Sequence, residues 1–226
     1  MKNFPSLTLA VVLAAIAGYV DAISYLHFTR LFVSFMSGNS TVFAIDIGQG
    51  VWGVALTPVV AIIAFVFGSF LGTLIKAGSG KWQIPSILAA EAFLLVIALT
   101  LPRVEGAQAL AIIPLAAAMG VQNAALHYVG NLNVSLTYVT GTLVKLGQSL
   151  AEAILGRSER WTWSVYAVMW LGLTLGAVGG TLAYREFSYE ALLAPAAALF
   201  TFSLVLALWT LVMSRPIASG DQKTQF

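Results

Sequence analysis

An aspartate inside an apolar run is the residue of this chain best suited to chemistry. Asp21 follows Gly18-Tyr19-Val20 in a stretch that is otherwise typical of a membrane helix. An ionisable group at membrane depth costs at least about 2.5 kcal/mol on insertion scales, and it usually faces a protein interior or a wet cavity. Asp21 is therefore interpreted as a carboxylate that titrates protons or contacts a solute. The alternative is a hydrogen-bonding group between helices.

The surroundings of Asp21 return in the second half of the chain. Three correspondences carry the match: Gly18-Tyr19-Val20-Asp21-Ala22 with Gly120-Val121-Gln122-Asn123-Ala124, Ser37-Gly38-Asn39 with Thr140-Gly141-Thr142, and Gly68-x-x-x-Gly72-Thr73-Leu74 with Gly176-x-x-x-Gly180-Thr181-Leu182. They indicate two copies of one membrane unit, at about residues 7–102 and 107–213. Such repeats are typical of secondary transporters and of some channels. A chance match of small residues is the alternative.

Composition places the chain in a membrane. Of its 226 residues, 59% are hydrophobic and 9% are charged, whereas soluble domains carry about a quarter charged residues. Residues 1–226 are therefore predicted to form a single integral membrane domain, which ends in a polar cytoplasmic tail at 214–226. A net charge of +2, scattered between spans, makes nucleic acid an improbable partner and leaves membrane lipid as the expected one.

Hydropathy and the basic residues together predict the topology. Six apolar stretches at about residues 7–28, 51–75, 84–101, 107–129, 161–184 and 191–213 are long enough to span a bilayer. Two shorter segments, 32–48 and 135–150, suit re-entrant half-helices. With six spans and cytoplasmic termini, eight of the eleven Lys and Arg residues face the cytoplasm, as basic residues prefer. Eight spans would leave six inside against four outside, a weaker bias.

The predicted fold is an all-α membrane protein with six transmembrane helices in two inverted three-helix repeats, each with a re-entrant or half-helix segment. Three spans per unit is an odd number, so the second unit must enter the membrane upside down.

The half-helices supply the predicted solute site. A helix that begins within the membrane presents free N–H groups and the positive end of its dipole, which favour an anion or a polar group. In the alternative interpretation, glycine permits a tight turn and a hydroxyl caps the helix. The candidate binding residues are Ser37, Gly38 and Asn39 in the first half and Thr140, Gly141 and Thr142 in the second.

Two further polar residues are candidates for binding or coupling. Asn123, the uncharged counterpart of Asp21, suggests one structural hydrogen bond shared by both halves. Glu91, in the third span, either relays protons or extends toward the cytoplasmic face, and the matching region of the sixth span has no acid. His27 and His127 are expected to form interfacial hydrogen bonds. No metal site and no cofactor are predicted, because ligand residues do not cluster at metal-binding spacing.

The glycine spacing Gly68-x-x-x-Gly72 and Gly172-x-x-x-Gly176-x-x-x-Gly180 permits close helix approach. Packing within one chain is the first interpretation of these glycine-rich faces. A homodimer through them is the second.

The set of motifs around Asp21, Ser37-Gly38-Asn39, Asn123 and Thr140-Gly141-Thr142 resembles the YoaK family of small bacterial membrane proteins of uncharacterised function. The resemblance covers nearly the whole chain, although family members more often have Thr-Gly-Asn where this chain has Ser37-Gly38-Asn39. It implies a location in the bacterial inner membrane. It implies no substrate and no catalytic residue.

The sequence favours a small secondary transporter or facilitator of a small polar or anionic solute, coupled to protons through Asp21. A passive channel and a membrane scaffold or accessory subunit are the alternatives. An enzyme is not expected, because the sequence has no G-x-S-x-G or H-E-x-x-H pattern.

Overall fold

The computed structural model describes residues 4–125, 128–129, 132–133, 137–157 and 161–213. These residues form eight α-helices and a short antiparallel hairpin. The helices are α1 (Phe4–His27), α2 (Met36–Gly48), α3 (Trp52–Gly78), α4 (Gln83–Thr100), α5 (Ile112–Gln122), α6 (Val139–Ile154), α7 (Thr162–Phe187) and α8 (Leu193–Met213). The hairpin pairs β1 (Tyr128–Val129) with β2 (Leu132–Asn133). The predicted tail at 214–226 lies outside the described residues.

Most of the predicted spans appear as long apolar helices. Four stretches of the described chain have the length and hydropathy to cross a membrane: Leu7–His27, Trp52–Gly78, Gly80–Arg103 and Thr162–Met213. The last of these contains both α7 and α8. Since the outward faces of α3 and α8 carry exposed Phe, Leu and Val side chains, the chain is a helical membrane protein that crosses the bilayer several times.

The fourth predicted span is shorter than expected. The sequence predicts a helix over 107–129, but α5 ends at Gln122, and a 3-10 turn at Gln108–Ala111 precedes it. The amide of Asn123 donates to the carbonyl oxygen of Met119 at 2.9 Å, so a side chain caps the end of this helix. The chain then enters the hairpin of two-residue strands, a minor addition to a fold that is otherwise helical in the described residues, as predicted.

The two short helices begin close to the predicted residues and share one local conformation. Phe35 precedes α2 with φ −94° and ψ 74°, and Tyr138 precedes α6 with φ −87° and ψ 74°. Two residues after the end of each helix stands a glycine with positive φ, Gly50 at 74° and Gly156 at 69°, a conformation that glycine adopts without strain. The two predicted short helices are therefore present, and their re-entrant course remains a prediction.

The long helices of one half pack on those of the other half. A methyl group added at Gly18 of α1 would overlap the carbonyl oxygen of Leu173 in α7, and one added at Gly120 of α5 would overlap that of Phe65 in α3. Gly172, Gly176 and Gly180 approach Val11, Ala15 and Tyr19 in that order, so α1 and α7 run in the same direction. Gly68 and Gly72 approach Ala117 and Val121 in the same way, so α3 and α5 are also parallel.

The glycine-rich faces pack within the chain. Other helices of the same chain lie against the glycines at 68, 72, 172, 176 and 180. The homodimer remains a prediction, and it would need a surface other than these glycines.

Helices α4 and α8 pack together and run in opposite directions. The hydroxyl of Ser203 donates to the carbonyl oxygen of Pro85 at 2.8 Å, and the hydroxyl of Tyr189 donates to that of Ala98 at 3.2 Å. Residue numbers thus fall along α8 as they rise along α4. Arg103 and Glu190 join the same two chain segments through an exposed ion pair at 2.8 Å.

Candidate functional site

The chain turns back on itself after α1, and this turn creates the candidate site. Thr29 and Arg30 have φ values of 53° and 69°, a left-handed conformation that is uncommon for residues other than glycine. The non-helical segment 31–35 then returns beside α1, where the buried hydroxyl of Ser24 donates to the carbonyl oxygen of Leu31 at 3.1 Å. This segment leads directly into α2.

Asp21 holds the returning segment by its backbone. One carboxylate oxygen accepts the N–H groups of Val33 at 2.7 Å and Ser34 at 2.8 Å, and the other oxygen accepts the hydroxyl of Ser34. Hydrogen bonds to a charged acceptor are about twice as strong as those between neutral groups, so they offset part of the cost of placing the carboxylate there. Among the described residues, Asp21 thus binds the returning segment and not a second helix as the alternative interpretation expected, and its functional role remains a prediction.

Asn39 holds the same segment from the α2 side. Its side-chain oxygen accepts the N–H of Phe32 at 3.2 Å, and its amide donates to the carbonyl oxygen of Phe32 at 2.6 Å. The side chain is fully buried. Because both ends of the amide are bound to the backbone of one residue, Asn39 fastens the entry to α2.

The second half repeats the contact of Asp21 with Ser34. The hydroxyl of Thr137 donates to the side-chain oxygen of Asn123 at 3.1 Å. Thr137 stands three residues before Thr140, as Ser34 stands three residues before Ser37. This shared spacing of hydroxyl residues is the sequence signal that could have identified Ser34 and Thr137 as site residues.

A cavity of about 490 Å³ opens beside Asp21. Helices α1 and α7 form two of its walls, and the segments that lead into α2 and α6 form the others. Its described lining consists of Gly18, Asp21, Ala22, Tyr25, Leu26, Phe32, Ser34, Phe35, Thr137, Val139, Thr140, Leu173, Ala177 and Thr181. The cavity thus combines residues from both halves of the chain.

The structure brings together only some of the predicted site residues. Asp21 and Thr140 line the cavity. Thr142 bonds to the carbonyl oxygen of Tyr138 at 3.0 Å and contacts a much smaller space against α7. Ser37 is exposed outside the cavity lining. Gly38 and Gly141 lie against the rings of Phe35 and Tyr138, where any side chain would collide.

Glu91 lies in a different environment. It is fully buried on α4, and neither carboxylate oxygen has a hydrogen-bond partner within the described ranges. Gln122 is also fully buried, and its amide donates to the carbonyl oxygen of Leu13 at 2.6 Å. Neither residue is among those that line the cavity. Since Glu91 is inside the protein, the predicted extension toward the cytoplasmic face is not observed.

His27 packs against two tyrosine side chains. His27 lies 3.3 Å from the hydroxyl of Tyr184 and stacks on the ring of Tyr189 at 4.3 Å between centroids. His127 lies outside the described residues. Among the residues that are described, no three His, Asp or Glu side chains are grouped closely enough to share a metal ion. The absence of a cofactor stays a prediction.

Comparison with known proteins connects this geometry to a family. The family described as "Protein of unknown function (DUF1275)" matches residues 9–206. The UPF0700 transmembrane protein RA0705 of Rhizobium meliloti (strain 1021) is 33% identical over 198 residues, which are 87% of this chain and 84% of that protein. The UPF0700 transmembrane protein YoaK of Bacillus subtilis (strain 168) is 30% identical over 161 residues, 69% of this chain and 72% of that protein. No solved structure matches the chain. The match across most of its length confirms the resemblance, and the chain belongs to the DUF1275 family of transmembrane proteins that includes YoaK.

Proposed function

We propose that the protein is a small secondary transporter or facilitator that moves a small polar solute across the bacterial inner membrane. The cavity beside Asp21 carries the proposal. Its wall combines Asp21 and Ser34 from the first half with Thr137 and Thr140 from the second. In transporters built from inverted repeats, the solute site lies near the middle of the membrane where the repeats meet.

The directions of the helices support the six-span topology. If α2 and α6 enter and leave on one side while the other six helices cross, then α1 is parallel to α7, α3 is parallel to α5, and α4 is antiparallel to α8. The contacts have these three directions. If α2 and α6 also crossed, α4 and α8 would run the same way, contrary to the bonds from Ser203 to Pro85 and from Tyr189 to Ala98.

Equivalent contacts support an inverted repeat. Gly18 of α1 meets Leu173 of α7, and its counterpart Gly120 of α5 meets Phe65 of α3. The third helix of each half thus receives the first helix of the other half. With the N-terminus in the cytoplasm, as the basic residues favour, both termini are cytoplasmic and the second half is upside down relative to the first.

The proposal assigns coupling to Asp21, because this carboxylate is next to the cavity. A proton on Asp21 would neutralise the carboxylate and so weaken its hydrogen bonds to Val33 and Ser34, which hold the segment that leads into α2. Glu91 is a second candidate for proton coupling, since it is buried and without a partner in the described structure. An anionic solute receives less support than a neutral or cationic one. Asp21 is the only charged residue in the described lining.

The two alternative functions, a passive channel and a membrane scaffold, are supported by the sequence alone. For a passive channel, Asn39 and Thr142 would line a pore, but both side chains are bound to protein carbonyl groups. A scaffold role has no specific contact in its favour within the described residues. We keep the expectation that the protein is not an enzyme as part of the proposal.

A transport assay in proteoliposomes tests the proposal. Vesicles that contain the purified protein and a pH-sensitive dye are exposed in turn to amino acids, amines and carboxylates. We expect one class to produce a saturable proton flux in the wild type. The flux should be lost in Asp21→Asn and in Ala177→Phe, which fills the cavity.

Matched controls separate the cavity from general damage. Asp46→Asn and Ala197→Phe change the same residue types outside the cavity lining and should keep the wild-type flux. Equal flux in Ala177→Phe and wild type would contradict the location of the solute site. Flux in none of the solute classes would contradict proton-coupled transport.

A further inference from the structure

We infer that the solute of this cavity is an organic cation with an apolar body, such as a quaternary or protonated amine. The inference rests on the proposed function for the location of the solute site. It adds the chemical class of the solute, which follows from the charge, the rings and the walls of the cavity.

Asp21 gives the described cavity lining a formal negative charge. Asp21 is half-buried and borders the cavity, and the other described lining residues are apolar, aromatic or hydroxyl-bearing. The three donors on its carboxylate are backbone N–H groups of Val33 and Ser34 and the hydroxyl of Ser34. All three are neutral, so the formal negative charge is not cancelled by them. A carboxylate has about four lone-pair positions, and one therefore remains for a ligand.

A row of aromatic rings lines the same cavity as this carboxylate. The ring centroids of Tyr25 and Phe32 are 5.0 Å apart, and those of Phe32 and Phe35 are 5.4 Å apart with the rings nearly perpendicular. All three residues line the cavity. Aromatic faces attract cations, and groups of such rings are the usual means of binding quaternary ammonium ligands. The same faces would repel an anion.

The size and polarity of the cavity favour a ligand with an apolar body. Ligand pockets typically enclose about 300 to 1,000 Å³ and are lined mainly by apolar side chains with a few polar groups, and a cavity of about 490 Å³ falls within this range. Leu26, Leu173 and Ala177 add apolar surface to the cavity lining. An apolar body gains free energy on entering such a space, whereas a small hydrated ion would lose its water without replacement. The favoured ligand thus has one positive charge on an apolar frame.

Equilibrium binding to the purified full-length protein in lipid nanodiscs tests the class of solute. The probes are benzyltrimethylammonium, benzyl alcohol and benzenesulfonate, which share an aromatic ring and differ in charge. We expect saturable binding of benzyltrimethylammonium, and binding weaker by about tenfold or more for the two other probes.

Variants place the binding in the cavity. Asp21→Asn and Phe35→Leu should each weaken binding of benzyltrimethylammonium by about tenfold, and Ala177→Phe should abolish it. Asp46→Asn and Phe93→Leu are matched changes outside the lining and should bind as the wild type does. If Asp21→Asn fails to fold, Phe35→Leu and Ala177→Phe provide the same comparison.

The outcomes distinguish this inference from the proposed function. If benzenesulfonate or benzyl alcohol binds more tightly than the cation, and Ala177→Phe blocks that binding, the cationic class is wrong while the solute cavity stands. If the cation does not bind to the wild type, the inference is overturned. It is also overturned if Phe35→Leu and Ala177→Phe bind the cation as tightly as the wild type does. The transport assay with Ala177→Phe then decides separately whether the cavity carries any solute.

Discussion

Ser34 donates its hydroxyl hydrogen to the carboxylate of Asp21, although the two residues are 13 positions apart in the chain. In the second half, Thr137 donates to the side-chain oxygen of Asn123 from 14 positions away. One chain therefore contains the same contact with a carboxylate in one copy and an amide in the other. An amide oxygen is enough for this hydroxyl contact, so the carboxylate in one copy alone points to a role for its charge.

Asp21→Asn should leave the fold intact, whereas Asp21→Ala should not. The amide can still accept the N–H groups of Val33 and Ser34, so we expect a loss of about 1 kcal/mol in unfolding free energy. Alanine leaves these donors without an acceptor, and a loss of at least about 2 kcal/mol follows. Thermal unfolding in detergent, followed by intrinsic fluorescence, measures both. Equal losses for the two variants would refute the role of Asp21 as an acceptor.

Asn39→Ala should lower the unfolding free energy. It removes both bonds to the backbone of the half-buried Phe32 and leaves its N–H and carbonyl without these partners, at about 1 to 3 kcal/mol. Thr142→Ala removes one hydroxyl bonded within its own helix and should cost less. The two side chains share no partner, so the double variant should be additive within about 0.5 kcal/mol. Non-additive effects of the two substitutions on ligand binding would instead indicate that Asn39 and Thr142 contact the same solute.

Gly176→Ala should destabilise the protein, and Gly179→Ala should not. A methyl group at Gly176 would overlap the carbonyl oxygen of Ala15, whereas one at Gly179 would lie 3.8 Å from the ring of Tyr19. Overpacking of this kind typically costs about 1 to 3 kcal/mol, because the backbone of α1 must move. The neighbouring glycine controls for the general effect of alanine in a helix. Similar unfolding temperatures for both variants would contradict the close approach of α1 and α7.

Cysteines at Gln49 and Leu155 should react from opposite sides of the membrane. These exposed residues follow α2 and α6 at equivalent positions, next to the glycines with positive φ. The chain has no native cysteine, so no background has to be removed. With an impermeant maleimide on intact cells, Gln49→Cys should label and Leu155→Cys should label only after permeabilisation. Labelling of both from outside would reject the inverted topology.

Glu91→Leu should raise the unfolding free energy by about 1 to 3 kcal/mol, because a buried carboxyl without a hydrogen-bond partner is replaced by an apolar group of similar size. Thermal unfolding measures this gain, with Ile87→Leu on the same buried helix face as the control. A gain in stability with a loss of transport would assign Glu91 to coupling. A loss of stability would mean that Glu91 has a structural partner.

The sequence by itself determined the membrane setting, most of the long helices and the two short ones. These features depend on local hydropathy and on glycine positions, and both can be read directly from the sequence. The correspondence of Asp21 with Asn123 could also be predicted, because both copies keep the same spacing from glycine. The end of α5 at Gln122 could not be predicted, since a continuous apolar run does not reveal that a side chain caps the helix early.

Only the tertiary structure decided which polar residues meet. Asn39 is a conspicuous candidate in the sequence, yet its amide is bound to the backbone of Phe32, and the cavity is lined instead by Ser34, Thr137 and three aromatic rings. These residues come together because the chain reverses at Thr29 and Arg30 and because α1 packs on α7 from the other half. The first is a local turn that hydropathy does not reveal, and the second is a long-range contact between the two halves. Local pattern identifies the residue types, and the packing of one half against the other selects those that share a cavity.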